Sequence, residues 1–286
     1  MAVFHSQKRL INRRGGREST WAITTMNTTK DLSNNKNRLA IVAGGMGYVG
    51  SAMVRRLAKS GMKVAVLYHI ATPKEVSGLL SELSGHGSAY SCDLKDAALV
   101  ERTMEKIVKE QGMPYVCIDA AGSMPQQKQL NLSTVEEVRA ELEGSVIRDF
   151  IFLKSCAFQL KKNREGIIIG ITTAGVVTPV NTKARGAYSM QKFALQGMLV
   201  ALKEELAPYG INVYSIAPGV LPGGLNRDTP KAFLDIVRAK SASGKIAEAS
   251  DIADIVASLC TGSDRSEVPF TILIAPESEN PKSDVL

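Results

Sequence analysis

The sequence is poor in aromatic, histidine and cysteine residues. Aromatic side chains make up 5% of its 286 residues, with one tryptophan, so nucleic-acid binding by base stacking is not indicated. It contains no run of ~20 apolar residues, so we expect no membrane-spanning helix. The three histidines and four cysteines form no cluster with the spacing of metal ligands, so we expect no metal site.

The four cysteines are far apart in the sequence, and each lies in an apolar segment. They are Cys92, Cys117, Cys156 and Cys260. No C-x-x-C pair occurs, so a redox or zinc motif is not indicated. Free buried thiols are typical of a reducing compartment, and we therefore predict a cytoplasmic protein.

Basic residues are concentrated at the N-terminus. Residues 1–37 hold seven basic and two acidic side chains, so they carry +5 of the net charge of +7. We predict that residues 1–37 form a disordered or loosely attached leader and that residues 38–286 form a single domain. Three interpretations of the leader stay open: a transit peptide for organelle import, a basic arm for an acidic partner, and an inert extension.

Short apolar runs alternate with segments of helical periodicity from residue 38 onward. Runs that are apolar on both faces predict buried strands of a parallel sheet. The predicted strands are Arg38–Ala43, Lys63–Tyr68, Ser88–Cys92, Tyr115–Ala120, Gly166–Ile171, Ile211–Ile216 and Phe270–Ile274. This alternation predicts an α/β fold: a doubly wound, Rossmann-like parallel sheet of about seven strands with helices on both faces.

Helices are predicted between these strands. The clearest signals are the segment 47–60, Thr72-Pro73 at a helix start, and a capping box at Ser133-x-x-Glu136. Further helices are predicted near residues 188–207, 229–241 and 250–260.

A glycine-rich loop follows the first strand and opens the first helix. It contains G-x-G-x-x-G, a pattern that lets the backbone approach a pyrophosphate at a helix N-terminus. The residues assigned to this cradle are Gly44, Gly45, Gly47, Tyr48, Val49 and Gly50. The sequence therefore predicts a dinucleotide-binding site. We expect residues 38–286 to form a single dinucleotide-binding catalytic domain.

The second strand ends without the carboxylate that often binds the ribose 2′-hydroxyl of NAD. Tyr68 and His69 stand there instead, so NADP is preferred over NAD. Asp93, after the third strand, has two open interpretations: an acceptor for the adenine amino group, or a turn cap.

Tyr188 and Lys192 lie four residues apart in a predicted helix and so share one face. A neighbouring ammonium favours the phenolate, so the pair predicts a phenol of lowered pKa that exchanges a proton with a carbonyl or alcohol oxygen.

Taken together, these motifs resemble the short-chain dehydrogenase/reductase family, in its compact branch with the 3-oxoacyl-carrier-protein reductases. The resemblance spans about residues 38–275. It rests on the glycine loop, Cys92-Asp93-Leu94, Ala121-Gly122, Tyr188 with Lys192, Ala217-Pro218-Gly219, and the segment 244–253.

The resemblance implies the remaining site residues. Tyr188 would be the acid/base and Lys192 its partner, while Thr172 or Thr173 would replace the usual serine and Ser145 the usual asparagine. Further cofactor contacts would come from Leu94, Ala120, Ala121, Gly122, Pro218, Gly219 and Val220. The sequence departs from the compact branch at Tyr48, where a glycine is usual, and at Asp119, where N-N-A-G begins.

The function expected is an NAD(P)-dependent oxidoreductase that interconverts a carbonyl and an alcohol on a small molecule, in the manner of a 3-oxoacyl reductase. Two alternatives are a catalytically degraded nucleotide-binding regulator and a sugar-nucleotide epimerase. The resemblance also implies a homodimer or homotetramer, and we expect neither a nucleic-acid nor a membrane partner.

Overall fold

A computed structural model of the chain describes residues 36–122, 127–177, 185–239, 241, 244–262, 265 and 268–274. Seven parallel strands form one sheet in the order β3-β2-β1-β4-β5-β6-β7. The strands are β1 Leu39–Ala43, β2 Lys63–Tyr68, β3 Gly87–Ser91, β4 Pro114–Asp119, β5 Gly166–Ile171, β6 Ile211–Pro218 and β7 Thr271–Ile274. The predicted doubly wound sheet is confirmed.

Helices cover both faces of this sheet. They are α1 Tyr48–Lys59, α2 Pro73–Ser81, α3 Ala97–Gln111, α4 Val135–Glu141, α5 Arg148–Asn163, α6 Gly186–Leu206, α7 Lys231–Ala239 and α8 Ala249–Thr261. Successive side chains of a strand point to opposite faces. Ala40 and Val42 accordingly join a core with α1, α2 and α8, whereas Leu39 and Ile41 join a second core with α3, α5 and α6.

The strand order places a crevice between β1 and β4. The chain winds from β1 toward β3 on one side and continues from β4 toward β7 on the other, so the crossovers diverge there. Such a switch point, at the carboxyl ends of the strands, is where open α/β sheets bind ligands. The backbone N–H of Ala120 donates to the carbonyl of Ala43 at 3.1 Å and fixes the two strand ends side by side.

The capping box predicted at Ser133 and Glu136 is wrong by one residue. Helix α4 begins at Val135, so Thr134 is its N-cap and exchanges hydrogen bonds with Glu137. Two overlapping pairs fit the S/T-x-x-E pattern, and the pair that caps is set by where the helix starts. By contrast, the predicted helix start at Thr72-Pro73 is confirmed, with Thr72 as the N-cap of α2.

The structure adds one helix to those predicted and lengthens another. Helix α3 joins β3 to β4. The helix predicted after residue 133 continues from α4 through a π-helical turn, Leu142–Ile147, into α5.

Apart from residues 36 and 37, the predicted leader lies outside the described residues, so its boundary stays a prediction. Within the described ranges, no helix is long and apolar enough to cross a bilayer.

Candidate active site

The glycine loop is so tightly folded that three of its positions leave no room for a side chain. Gly44 has φ +69°, and a Cβ on it would lie 2.7 Å from the carbonyl oxygen of Ala120. A Cβ on Gly50 would lie 2.1 Å from the carbonyl oxygen of Gly44, and one on Gly45 2.8 Å from the Val66 side chain. Glycine is therefore required here by the fold, because the loop packs against its own backbone and β4.

Gly47 differs from these three positions. Within 4 Å, a Cβ on Gly47 would meet only the carbonyl oxygen of Gly44, at 3.2 Å. Gly47 is the N-cap of α1 and supplies no side-chain cap, and the first turn of this helix holds no acidic residue. The N–H groups of Tyr48, Val49 and Gly50 are thus the first-turn donors that lack intrahelical partners. An open, uncapped helix start at the switch point fits a pyrophosphate.

Tyr48 covers this helix start from the side. Cβ atoms built on Gly223 and Gly224 would approach the Tyr48 side chain to 2.8 Å and 3.0 Å. The phenol ring therefore lies directly on the loop that follows β6. Tyr48 itself is 39% exposed.

The residues assigned to the adenosine end lie at the ends of β2 and β3. Tyr68 is the last residue of β2, and His69 follows with its Nε2 3.8 Å from Asp93 Oδ2. Asp93 Oδ1 accepts a hydrogen bond from the backbone N–H of Lys95 at 3.0 Å. The interpretation of Asp93 as a turn residue is confirmed, and its contact with adenine stays a prediction. Leu94 is buried beside it.

A cavity of about 300 Å³ opens beside this end, between α1 and α2. Its lining includes Ile70, Arg55 and Glu82. Arg55 is not free for a phosphate, because its Nε lies 2.5 Å from Glu82 Oε2. The cavity therefore lies beside the end of β2, and Arg55, which is paired with Glu82, gives it no unpaired basic side chain.

The other residues assigned to the cofactor lie along the same edge of the sheet. Ala120, Ala121 and Gly122 follow β4 directly, and a Cβ on Gly122 would lie 3.7 Å from Leu225 in the loop after β6. Pro218 ends β6, and the N–H of Gly219 donates to the carbonyl of Ile274 at 2.7 Å. Val220 follows, half-buried.

Helix α6 presents Tyr188 and Lys192 to this edge. The helix packs closely on β5, since a Cβ on Gly170 would lie 2.5 Å from the Leu199 side chain. Lys192 is buried, and its Nζ donates to the carbonyl of Ile171 at 2.8 Å. That Nζ lies 5.9 Å from the centroid of the Tyr188 ring.

The prediction that the pKa of Tyr188 is lowered is wrong for this structure. Burial raises the pKa of the Tyr188 phenol above its ordinary value, because the phenolate loses solvent. A hydrogen bond from Thr173 and the charge of Arg185 act in the opposite direction and only partly offset burial. The ammonium of Lys192 donates its hydrogen bond to the Ile171 carbonyl.

The structure distinguishes the two threonines. Thr172 is buried, and its hydroxyl bonds to Ser215 at 2.9 Å and donates to the carbonyl of Ile216 at 3.1 Å. Thr173, one residue on, lies close enough to the Tyr188 phenol that its hydroxyl lowers the pKa of that phenol. Of the two, only Thr173 is directed toward the proposed reacting groups.

Ser145 lies in the π-helical turn that precedes α5. It is fully buried, and its hydroxyl donates to the carbonyl of Glu141 within its own helix. A π-helical turn often marks a functional position, because it displaces one residue of the helix. The hydroxyl of Ser145 is therefore bonded to its own helix backbone, and its predicted role in the site stays a prediction.

A group of buried charged side chains behind Lys192 is not predicted by the sequence. It consists of Asp119, Arg148 and Asp149, and Gln191 bonds to it. The available signal was Asp119, a charge that ends an otherwise apolar strand. Arg148 and Asp149, which begin α5, give no sign of burial in the sequence.

Comparison with known proteins decides the family. A sequence model described as "Enoyl-(Acyl carrier protein) reductase" matches residues 45–268, most of the chain. The chain belongs to the short-chain dehydrogenase/reductase family. It is 27% identical over 229 residues to the 3-oxoacyl-[acyl-carrier-protein] reductase FabG of Escherichia coli (strain K12), covering 80% of this chain and 91% of that protein.

Two solved oxidoreductase structures share the fold. An NAD+-bound xylitol dehydrogenase matches with a TM-score of 0.77 and 21% identity over 86% of this chain and 100% of its own. A metagenomic short-chain oxidoreductase in complex with NADP matches with a TM-score of 0.69 and 21% identity over the same shares of the two chains, 86% and 100%.

The predicted resemblance to this oxidoreductase family is therefore confirmed. The epimerase and the degraded regulator are not favoured by any of these relatives. Within the described part of the chain, no group of three or more histidine, cysteine or acidic residues has the arrangement of a metal site.

Gly47 provides a test of the glycine loop. We expect Gly47→Asp to weaken binding of NADPH at least tenfold, because its carboxylate would repel the pyrophosphate at the helix start. Gly47→Ala adds only the Cβ and should weaken binding far less. The dissociation constants are measured by nicotinamide fluorescence. Equal affinity in Gly47→Asp and the unmodified protein would show that the pyrophosphate binds elsewhere.

Tyr188 provides a test of the acid/base assignment. Tyr188→Phe keeps the ring and its packing and removes only the hydroxyl. We expect turnover to fall by about 10²–10⁴-fold, the usual scale of general acid–base catalysis, with the affinity for NADPH unchanged. Steady-state kinetics and fluorescence titration measure the two quantities. A variant that keeps more than about a tenth of turnover would contradict the assignment.

Proposed function

We propose that this short-chain dehydrogenase/reductase interconverts a carbonyl and an alcohol of a small molecule with NAD(P), and that Tyr188 is its acid/base. The observation that carries the proposal is the meeting of Tyr188, Thr173 and Lys192 at the carboxyl edge of the sheet, beside the uncapped start of α1. When bound there, the nicotinamide supplies or accepts the hydride.

Each of these three residues has a distinct task in the proposed reaction. In reduction, Tyr188 gives its hydroxyl proton to the carbonyl oxygen as the alcohol forms, and in oxidation it takes that proton back. Thr173 donates a hydrogen bond that supports the phenolate or orients the substrate oxygen. Lys192, buried beside the phenol, supplies positive charge and binds the ribose. We assign Thr172 a structural role, since β6 already satisfies its hydroxyl.

NADP is the preferred cofactor. No carboxylate stands at positions 68–70 to repel a 2′-phosphate, and His69 is half exposed there. Arg55, in the lining of the neighbouring cavity, is paired with Glu82 and is not available to a 2′-phosphate. The preference for NADP therefore rests on the absence of a repelling carboxylate at positions 68–70 and on His69. NAD remains the second cofactor in this proposal.

The proposed substrate is a 3-oxoacyl thioester or a similar ketone. It is supported by the 27% identity to the E. coli 3-oxoacyl-[acyl-carrier-protein] reductase over 91% of that protein. The description of the matching family names enoyl reduction, which saturates a carbon–carbon double bond. The arrangement here favours the ketone, because the phenol and Thr173 are a pair of groups suited to a carbonyl oxygen.

We propose that the protein is a homodimer or homotetramer that associates through α5 and α6. These neighbouring helices expose large apolar side chains at helical spacing: Phe150 (50%), Phe158 (58%), Phe193 (46%) and Val200 (47%). A second copy of the chain is the occupant proposed, because an exposed apolar face of this kind is typical of self-association.

A reducing compartment, such as the cytoplasm, is proposed from the cysteines. All four are free and buried in the structure. Disulfides are rare in such compartments, and these thiols act as small apolar core residues.

The function is tested by cofactor titration followed by a substrate panel. We expect NADPH to bind more tightly than NADH, and ketones to be reduced in preference to an enoyl thioester. Nicotinamide fluorescence gives the affinities, and NADPH absorbance gives the turnover of 3-oxoacyl thioesters, simple ketones and the enoyl thioester. Turnover of the enoyl thioester alone would exclude the carbonyl reaction, and tighter binding of NADH would exclude the cofactor preference.

Ile70→Asp tests which residues set the cofactor preference. Ile70 is 89% exposed at the end of β2, so the change adds a charge without disturbing the core. We expect the preference to move toward NADH, since a carboxylate there repels the 2′-phosphate. Unchanged preference would place the 2′-phosphate away from this strand end.

The proposed interface is tested by placing charges on it. We expect the double variant Phe150→Asp with Phe158→Asp to sediment as a monomer, because the charges would have to be buried when two copies associate. Analytical ultracentrifugation measures the mass. Phe233→Asp on α7, equally apolar and 40% exposed, serves as the control and should keep the oligomer. Loss of the oligomer in the control alone would relocate the interface to α7.

A further inference from the structure

Four charged side chains meet in the interior between the sheet and helices α5 and α6. Asp119 ends β4, Arg148 and Asp149 begin α5, and Lys192 lies on α6. None is more than 9% exposed, and Asp149 and Asp119 are at 1% and 2%. Burying a charge is costly unless it is paired and hydrogen-bonded, so each of the four needs partners inside the protein.

Arg148 and Asp149 satisfy each other. Both Nε and Nη2 of Arg148 donate to Asp149 Oδ1, at 3.0 Å and 2.6 Å, and Nη2 also donates to the carbonyl of Ala121 at 3.2 Å. The second carboxylate oxygen of Asp149 accepts a hydrogen bond from Gln191 Nε2 at 3.2 Å. This ion pair is therefore complete, and it binds the start of α5 to the residue before Lys192.

Asp119 is not satisfied in this way. Its Oδ1 accepts one hydrogen bond, from the backbone N–H of Ala121 at 3.2 Å. Its Oδ2 is fully buried and has no hydrogen-bond partner among the residues that the structure describes. A buried carboxylate with a free oxygen either takes up a proton or relies on a nearby positive charge.

We propose that Asp119 is a positioning residue that controls whether the buried Lys192 keeps its proton, and that it thereby couples the Tyr188–Lys192 pair to an ionisation inside the core. This inference rests on the proposed function, in which Lys192 supplies positive charge to the site. Asp119 touches neither substrate nor phenol and acts only through Lys192.

The charges around Asp119 give the direction of this coupling. Burial, and then the negative charge of Asp149, raise the pKa of Asp119 to about 7, while Arg148 and Lys192 act in the opposite direction. Burial lowers the pKa of Lys192, and the charges of Asp149 and Asp119 hold it up. Cys156 on α5 also faces Asp119, but burial raises the pKa of its thiol well above the ordinary value, so it stays neutral.

It follows that the net charge of these four side chains changes near neutral pH, where Asp119 titrates. Below about pH 7 Asp119 carries its proton, and Lys192 loses one of the two negative charges that stabilise its ammonium. Above it the proton of Asp119 goes to solvent, and the new carboxylate helps Lys192 to stay charged. Asp119 therefore extends the pH range over which Lys192 is an ammonium toward alkaline values.

Asp119→Asn tests the proposal, because asparagine has the shape of a protonated aspartate and never ionises. We expect two changes. The alkaline limb of the turnover profile should move to lower pH by about one unit, since Lys192 loses its partner. The melting temperature of the variant, relative to that of the unmodified protein, should also increase as the pH rises from about 4 to about 8. The folded pKa of Asp119 lies above the unfolded value, so its stabilising protonated form is lost as pH rises.

Asp96→Asn is the matched control. Asp96 is an exposed N-cap of α3 that accepts a hydrogen bond from Leu99, and asparagine caps equally well. We expect neither the turnover profile nor the pH dependence of melting to change. Identical profiles in Asp119→Asn and the unmodified protein, with turnover present in both, would overturn the proposal.

A measurement on the unmodified protein covers the case in which Asp119→Asn does not fold. With aspartate labelled by ¹³C, infrared difference spectra should show the band of a buried protonated carboxyl group disappearing between about pH 6 and 8. Absence of such a band would overturn the proposal. Failure of the proposed function is a separate result: no substrate would turn over at any pH, while the melting and infrared measurements would still report on Asp119.

Discussion

The positive charge of Lys192 has to be held inside the protein, and the arrangement of four elements depends on that constraint. A buried ammonium is tolerated only with acceptors and opposite charge close by. The carbonyl of Ile171 supplies the acceptor, and carboxylates from β4 and α5 supply the charge. The ends of two strands and the starts of two helices are thus tied to one nitrogen atom, which is also the atom that stands beside the proposed acid/base.

The parallel sheet explains why these groups can meet. All seven strands run in one direction, so the residues that follow them lie along a single edge. The glycine loop, Asp93, Ala120–Gly122, Thr173 and Gly219 come from five different strand ends in this way. The fold brings together residues that are more than 170 positions apart without any long-range signal in the sequence.

Local patterns were sufficient for the fold and for part of the site. The strands show as runs of apolar residues, the glycine loop shows as a pattern within seven consecutive residues, and Tyr188 and Lys192 are one helical turn apart. Each can be recognised without knowing what packs against it. The starts of helices are harder, since Ser133 and Thr134 both satisfy the capping pattern and only tertiary packing selects between them.

The remainder of the site depends on orientation and burial, which a single sequence does not show. Adjacent threonines at the end of β5 point to opposite sides, so one is used by β6 and the other faces Tyr188. The pKa of Tyr188 follows burial more than the spacing of Lys192, and spacing alone therefore indicated the wrong direction. Arg148 and Asp149 look in the sequence like the exposed first turn of a helix, but both are buried, directly after the π-helical turn.

Tyr48 has a consequence for how sequences of this family vary. Its side chain occupies the space that a Cβ at Gly223 or Gly224 would need. A larger residue at Gly223 needs a smaller residue at position 48, because the two side chains would compete for the same space. At Gly224 the φ of +64° favours glycine whatever residue stands at position 48. The first residue of α1 and the loop after β6, about 175 positions apart, should therefore covary among relatives, although neither position belongs to the reacting groups.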